Sequence, residues 1–199
     1  IRDAEALERF AAVDILVVDK TGTLTEGKPK LTDVIALSDG GEDELLTLAA
    51  ALEKGSEHPL AEAIVAGAQA RELRIPEATD FDAVTGKGVQ GQVMNKAVAL
   101  GNRAMLEHLS IDISKLESQA ADMQNDGKTV MYIAHGDELS GIVAVADPIK
   151  ETTQEAIKAL HKLGIKIIMA TGDNERTAKA VARRLGIDDV KADVLPGQG

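Results

Sequence analysis

The 199-residue chain has no cysteine and no tryptophan, and only three aromatic side chains, Phe10, Phe81 and Tyr132. Without cysteine there is no disulfide, no thiolate metal site and no cysteine nucleophile. So few rings leave no platform on which bases could stack. Basic charge is also short: 22 Lys and Arg stand against 33 Asp and Glu, for a net charge of −11. A phosphate backbone needs a basic face, so no nucleic-acid partner is expected; the plain effect of the acidity is solubility. No apolar run reaches the length of a membrane span. The opening Ile-Arg-Asp-Ala-Glu is neither a signal peptide nor a natural initiator, and reads as the start of a piece cut from something longer. Hydrophobic content is 44%, so a real core is possible, and the length suits one large or two small domains.

What the chain does contain is an organising string, Val13-Asp-Ile-Leu-Val-Val-Asp19-Lys-Thr-Gly-Thr-Leu-Thr25. Ile15, Leu16, Val17 and Val18 form a continuous, β-branched apolar block, as in a strand buried on both faces of a parallel sheet. Asp19 then ends that strand, where open α/β sheets keep their ligand crevice. An aspartate there can attack a phosphoryl group and form an aspartyl-phosphate. The Thr21 and Thr23 hydroxyls and the Gly22 turn can donate to phosphate oxygens. A divalent cation would have to screen carboxylate from phosphate. The plain structural alternative is an N-cap aspartate and a turn. Lys20 can neutralise charge at the site, or simply be solvated.

Residues 3–12 read as a short helix with Ala4, Leu7 and Ala11 on one face. Gly and Pro within residues 26–30 mark a hinge or boundary, and 31–37 alternate as a strand. A helix over 42–54 turns Leu45, Leu46, Leu48, Ala49 and Leu52 inward. A second runs from about Leu60 to Arg74, with Ser56 as N-cap and Pro59 in its first turn. Strands follow over 79–84, 88–94 and 96–100, helices over 102–108 and 113–124, and a strand over 129–134. The chain turns polar around 135–140. Residues 141–146 form a second fully apolar strand, ended by Asp147-Pro148. A helix over 150–162 turns Ala156, Ile157, Leu160 and Leu163 inward. A third apolar strand over 165–170 is closed by Thr171-Gly172-Asp173-Asn174, before a helix over 175–186 and a strand over 190–194. Both ends share one grammar of apolar strand, polar tip and helix, while the middle mixes elements. The expected fold is α/β: a doubly wound parallel sheet, residues 1–29 and 139–199, interrupted by an inserted α+β domain, residues 30–138.

The Asp19-Lys-Thr-Gly-Thr-Leu-Thr25 string resembles the phosphorylation motif of P-type ATPases, members of the haloacid dehalogenase superfamily. The phosphatases of that superfamily usually carry a second aspartate two residues after the nucleophile. Here Thr21 stands there and cannot serve as a base, which lengthens the life of an aspartyl-phosphate. Thr171-Gly172-Asp173 resembles the family's Thr-Gly-Asp motif; by itself it is equally a strand-to-helix turn with Asp173 or Asn174 as N-cap. Asp147-Pro148 resembles its Asp-Pro motif. In the middle domain Ser56-Glu57-His58-Pro59 resembles the nucleotide-domain signature of the heavy-metal-transporting branch. Glu53 matches that branch's adenine-contacting glutamate, Gly86-Lys87-Gly88-Val89 its Gly-x-Gly loop, and Gly101-Asn102 its Gly-Asn pair.

The resemblance implies ATP bound through Glu53, His58, Gly86, Gly88, Val89, Gly101 and Asn102, and domain closure that delivers the γ-phosphate to Asp19. It implies Mg2+ held by the Asp19 carboxylate and the Thr21 carbonyl, with Lys20, Thr21, Thr23, Thr171, Gly172 and Asp173 around the phosphate. The implied setting is the cytoplasmic face of a membrane pump. The partners would be its membrane helices, actuator domain and the rest of the phosphorylation domain, and the cargo, by resemblance copper, would not be bound by this chain. His108, His135 and His161 read as surface residues.

The family continues beyond the last strand with a phosphate-contacting lysine, where this chain has Gly199, and with a later Gly-Asp-Gly-x-Asn-Asp segment. The expectation is that this chain alone turns over ATP poorly, and that its phosphorylation half is completed by another chain or partly disordered. Two further readings stand beside the pump. One is a nucleotide-binding module without catalysis. The other is a soluble phosphatase with a large cap, against which Thr21 counts.

Overall fold

The computed structural model describes residues 15–37, 40–57 and 60–194. In chain order these form β1 (Ile15–Asp19), a turn over Lys20–Leu24, β2 (Lys30–Ala36), α1 (Gly41–Glu53) and α2 (Ala61–Ala70). Then come β3 (Ala78–Val84), β4 (Gly88–Val93), β5 (Lys96–Gly101), α3 (Arg103–His108), α4 (Ser114–Asn125), β6 (Thr129–His135) and β7 (Glu138–Ala146). The last elements are α5 (Thr153–Lys162), β8 (Lys166–Ala170), α6 (Glu175–Leu185) and β9 (Asp189–Lys191). The helix read over 3–12 lies outside the described residues. The chain divides into two units: residues 1–28, 125–127 and 147–199, and residues 29–124 and 128–146.

The first unit holds a parallel sheet in the order β1-β8-β9. Ile167 and Met169 of β8 are buried with Leu24, Ile157 of α5, and Ala178, Val181 and Leu185 of α6. Helix α6 starts at Asn174, whose side chain accepts the Thr177 amide at 2.9 Å, and ends at Gly186 in the left-handed region, φ 69°. Three expectations change here. Strand β1 is not buried on both faces: Ile15 and Val17 are 53% and 58% exposed. It stands outermost, with β8 as its partner among the described strands. Helix α5 buries Ile157, but Ala156 is exposed, as is Leu163, which sits at the C-cap where Gly164 at φ 78° redirects the chain. The terminal strand is shorter and earlier than 190–194.

The second unit is a six-stranded antiparallel sheet in the order β2-β7-β6-β5-β4-β3. Helices α1 and α2 cover one face and α3 and α4 the other. Leu45, Leu46 and Leu52 of α1 are essentially unexposed, and each contributes on the order of 2 kcal/mol by leaving water. The apolar run 141–146 belongs to this sheet, as the second half of β7, paired antiparallel to β2 and β6. Val143 and Val145 pack toward α1 and α2, Ile142 and Ala144 toward α3 and α4. Covered on both sides, an antiparallel strand loses its polar alternation and looks like a buried parallel one. The polar stretch around 135–140 is mostly strand, since His135 already pairs with Glu138 across the Gly136-Asp137 turn.

Helix α2 begins later and ends earlier than expected. Its N-cap is Leu60, without a side-chain bond, rather than Ser56, whose amide donates to the Glu53 carbonyl at 2.9 Å. After Ala70 the Leu73 amide returns to the Ala68 carbonyl at 3.1 Å and Glu72 takes φ 58°, which stops the helix short of Arg74.

Candidate functional site

Asp19 is the last residue of β1 and is exposed. The chain then turns sharply. Gly22 at φ 80° has open space where a Cβ would point, so backbone conformation, not crowding, requires glycine. The Thr25 amide closes the turn on the Lys20 carbonyl at 3.1 Å, and the Gly22 amide donates to Thr25 Oγ1 at 3.2 Å. The buried Thr25 hydroxyl donates to Asp147 Oδ2 at 2.6 Å, and the Lys28 amide to Asp147 Oδ1 at 3.0 Å. Thr21, Gly22 and Thr23 remain exposed on the outside of this fixed turn.

The β1–β8 register pairs Asp19 with Ala170, so Thr171 follows one residue beyond on the same carboxyl edge. The mostly buried Thr171 is tethered by its amide to the Lys191 carbonyl at 3.0 Å, and its Oγ1 accepts the Asp173 amide at 3.1 Å. Gly172 is exposed. The Asp173 carboxylate forms an ion pair with the Lys20 ammonium. Lys20 is therefore not the solvated lysine of the plain reading: it is 6% exposed. Asn174, not Asp173, caps α6. Asp193 joins this edge through its amide, which donates to the Asp173 carbonyl at 2.8 Å. Burial, then Glu175 and Asp173, raise the Asp193 carboxyl.

In the second unit a corner gathers four of the expected residues. Gly88 and Gly101 are register partners of β4 and β5. A Cβ on Gly88 would lie 2.1 Å from the Leu100 carbonyl oxygen, and one on Gly101 2.3 Å from that of Lys87. Close strand contact thus accounts for both glycines. Asn102 ties the corner together: Oδ1 accepts the Met105 amide at 3.1 Å, capping α3, and Nδ2 donates to the Gly86 carbonyl at 2.8 Å. Gly86 is exposed at φ 74°, while the Val89 side chain is in the core. His58 and Pro59 lie outside the described residues.

Glu53 ends α1 and is 3% exposed. Its Oε2 is enclosed and has no hydrogen-bond partner among the described residues. Burial pushes this carboxyl up to about 7, because desolvation disfavours the charged form.

The Lys20–Asp173 pairing, the Thr25 and Lys28 partners of Asp147, and Asp193 were not anticipated. Their partners lie tens to over a hundred residues apart, so spacing carries no signal for them. His161, expected as a plain surface residue, pairs with Asp188 at 2.8 Å. Among the described residues no group of three or more His, Asp or Glu could hold a metal ion, and no helix is long and apolar enough to cross a membrane.

Comparison with known proteins gives this geometry a family. The model for the haloacid dehalogenase-like hydrolases matches residues 13–197. A copper-transporting P-type ATPase of Rhizobium leguminosarum bv. viciae is 63% identical over 98% of this chain and 23% of its own length. The silver exporting P-type ATPase of Salmonella typhimurium is 50% identical over 98% of this chain and 24% of its own. The chain thus spans about a quarter of the length of these relatives. A solved catalytic domain of a CPx-ATPase, one that changes conformation on nucleotide binding, covers all of this chain at TM-score 0.69 and 25% identity, the match taking in 68% of that domain. The parallel sheet with its inserted α+β unit is the haloacid-dehalogenase-like fold, and the chain belongs to the haloacid dehalogenase-like hydrolases, in the branch of the heavy-metal P-type ATPases.

Proposed function

We propose that this chain is the ATP-binding and phosphorylated region of a pump for heavy-metal cations, copper or silver by its relatives' names, on the cytoplasmic face of a membrane. The observation that carries the reading is the register Asp19 with Ala170, which supports a shared role for Asp19 and Thr171 at one edge. An Asp19 oxygen attacks the γ-phosphorus of ATP, the bond to the β–γ bridging oxygen breaks, and ADP leaves with those electrons. In this reading the Thr23 and Thr171 hydroxyls and the Gly172 amide donate to the transferred oxygens. Asp173 holds Lys20 beside the edge as a fixed positive charge. Thr21 offers no base to activate water, so the acyl phosphate persists.

Mg2+ fits the exposed, oxygen-only donors here, since this ion is usually held by one or two carboxylates, substrate phosphate and its own waters. Asp19 and the Thr21 carbonyl are the groups that would hold it, and it would offset phosphate charge. In the other unit, residues 29–124 and 128–146, the orphaned Glu53 Oε2 is an unmet hydrogen bond that suits an adenine. Gly86, Gly88, Val89, Gly101 and Asn102, with His58, complete the nucleotide site in this reading. The membrane helices and remaining cytoplasmic parts of the pump are the partners.

The test is acid-quenched labelling with [γ-32P]ATP and Mg2+. Wild-type chain is expected to carry a hydroxylamine-labile label that Asp19→Asn lacks. Label that persists in Asp19→Asn refutes the reading.

A further inference from the structure

The two ends of the parallel sheet in the first unit carry different chemistry. The carboxyl edge holds Asp19, Thr171 and Asp173. Helix α5 starts at that edge, where the Thr153 hydroxyl donates to the Leu24 carbonyl at 2.8 Å, and α6 starts there at Asn174. Both helices then run back, so their last turns lie at the amino ends of β8 and β9. At that opposite end α5 carries Lys158 and Lys162, α6 carries Arg183 and Arg184, and Lys166 opens β8. All five are exposed, and none forms a salt bridge among the described residues. Two carboxylates share this end. Asp188 is held by His161 at 2.8 Å and by the Ile167 amide at 2.9 Å, and Asp189 accepts the Val190 amide at 2.8 Å. The end is therefore basic, on a chain whose net charge is −11.

Cations in the last turn of a helix complement its dipole, which gives Lys162, Arg183 and Arg184 a plain structural use. It gives none to Lys158, a turn earlier, to Lys166, beyond the helix, or to Leu163. Leu163 sits among these lysines at the C-cap of α5 and is 67% exposed, the most of any large apolar side chain among the described residues. The patch does not serve the phosphoryl edge. At about 3.3 Å per residue, the five residues of β8 hold it roughly 13 Å from Ala170. Resting on the reading of this chain as part of a membrane pump, we propose that this end of the first unit docks on an anionic lipid surface, with Leu163 in the headgroup layer and the lysines and arginines on lipid phosphates.

A lipid surface answers both halves of the patch. Its phosphates attract ammonium and guanidinium groups, and its interfacial layer takes up an exposed apolar side chain. A soluble polyanion would meet the cations and leave Leu163 in water. The patch is also held in shape. His161 of α5 and the first strand residues of β8 are both tied to Asp188, just before β9, so the ends of helix and sheet present one fixed surface. The lysine stems reach outward from it and keep their charged heads at the lipid phosphates while their methylenes lie beside Leu163. Docking here turns the opposite edge, with Asp19 and Thr171, away from the lipid and toward the solution that supplies nucleotide.

The test is nuclear magnetic resonance of the 15N-labelled chain with vesicles of phosphatidylglycerol and phosphatidylcholine that carry a gadolinium-chelate lipid. At low salt, amides of residues 158–166 and 183–186 are expected to relax about threefold faster than those of residues 19–25 and 171–174, because attraction to an anionic surface holds the basic end near it. High salt, or phosphatidylcholine alone, is expected to abolish the difference. The double variant Lys158→Glu, Lys162→Glu is expected to lose it, and Leu163→Ser to reduce it; all three sites are exposed, and an unchanged spectrum without vesicles shows that the fold is kept. Equal relaxation at the two ends, an enhancement as large on phosphatidylcholine alone, or one that survives the double variant overturns the proposal. A chain that takes label at Asp19 yet shows no enhancement overturns the docking alone. Label that persists in Asp19→Asn faults the pump reading instead, whatever the vesicles show.

Discussion

Lys20 and Asp173, 153 residues apart in sequence, form a buried ion pair beside Asp19. Their side chains are 8% and 11% exposed, so each charge has exchanged water for the other. Removing one partner leaves a buried charge uncompensated, which typically costs about 3–5 kcal/mol, whereas removing both can be nearly neutral. Lys20→Met and Asp173→Leu are each expected to lower stability by several kcal/mol in urea unfolding. The double variant is expected to fall short of their sum by about 2 kcal/mol or more. Additive losses would mean that the pair is not coupled.

Asp147 makes a second prediction. Its carboxylate accepts both the Thr25 hydroxyl and the Lys28 amide, and so fixes the chain that leaves the Asp19 turn. Asp147→Ala is expected to cost about 2–4 kcal/mol, since bonds to a charged acceptor contribute about 1.5–3 kcal/mol each. Thr25→Val should cost about 1–2 kcal/mol in the wild type and less than about 0.5 kcal/mol on top of Asp147→Ala. Chemical denaturation of the four proteins measures the cycle.

These two relationships also show where the sequence was informative. Asp19 at a strand end, Thr171 on the same edge and the strand-rich middle domain were legible because apolar runs, polar tips and turn residues are local signals. Lys20 was ambiguous because its partner is set by the β1–β8 register, which no spacing reveals. Residues 141–146 misled for a physical reason: with helices on both faces of the sheet, β7 lost the alternation that marks an antiparallel strand. Gly88 and Gly101 were read through a nucleotide loop, yet their closest demand is backbone against backbone. The orphaned state of Glu53 needs the packed core to be visible at all.

That reading of the glycines can be separated from ligand contact. Gly88→Ala and Gly101→Ala would push a Cβ against a backbone carbonyl oxygen, that of Leu100 and that of Lys87, which cannot swing aside as a side chain does. Each is expected to destabilise the chain by at least about 2 kcal/mol without any nucleotide present. Gly22→Ala meets no atom and is strained only by its φ of 80°, so it should cost about 1–2 kcal/mol. Thermal unfolding of the three variants gives the order. Unchanged stability of Gly88→Ala and Gly101→Ala would return those glycines to a purely ligand-contacting role.

Glu53 should also leave a mark on folding itself. Its carboxyl titrates near 4.5 when unfolded and at about 7 when folded. Between those values the folded state keeps a proton that the unfolded state has released, so folding takes up a proton and stability falls as pH rises. The contribution is fully present below about pH 4.5, is lost progressively up to about pH 7, and stays lost above it. The span corresponds to about 3 kcal/mol at most. Urea unfolding of wild type at pH 5, 6, 7 and 8 is expected to show this decline beside whatever other groups contribute. Glu53→Gln, which cannot ionise, is expected to lack this component, so that its stability relative to wild type grows by about 2–3 kcal/mol from pH 5 to pH 8. A constant difference between the two proteins across that range would mean that Glu53 ionises normally in the fold, and that its enclosed oxygen finds a donor when charged.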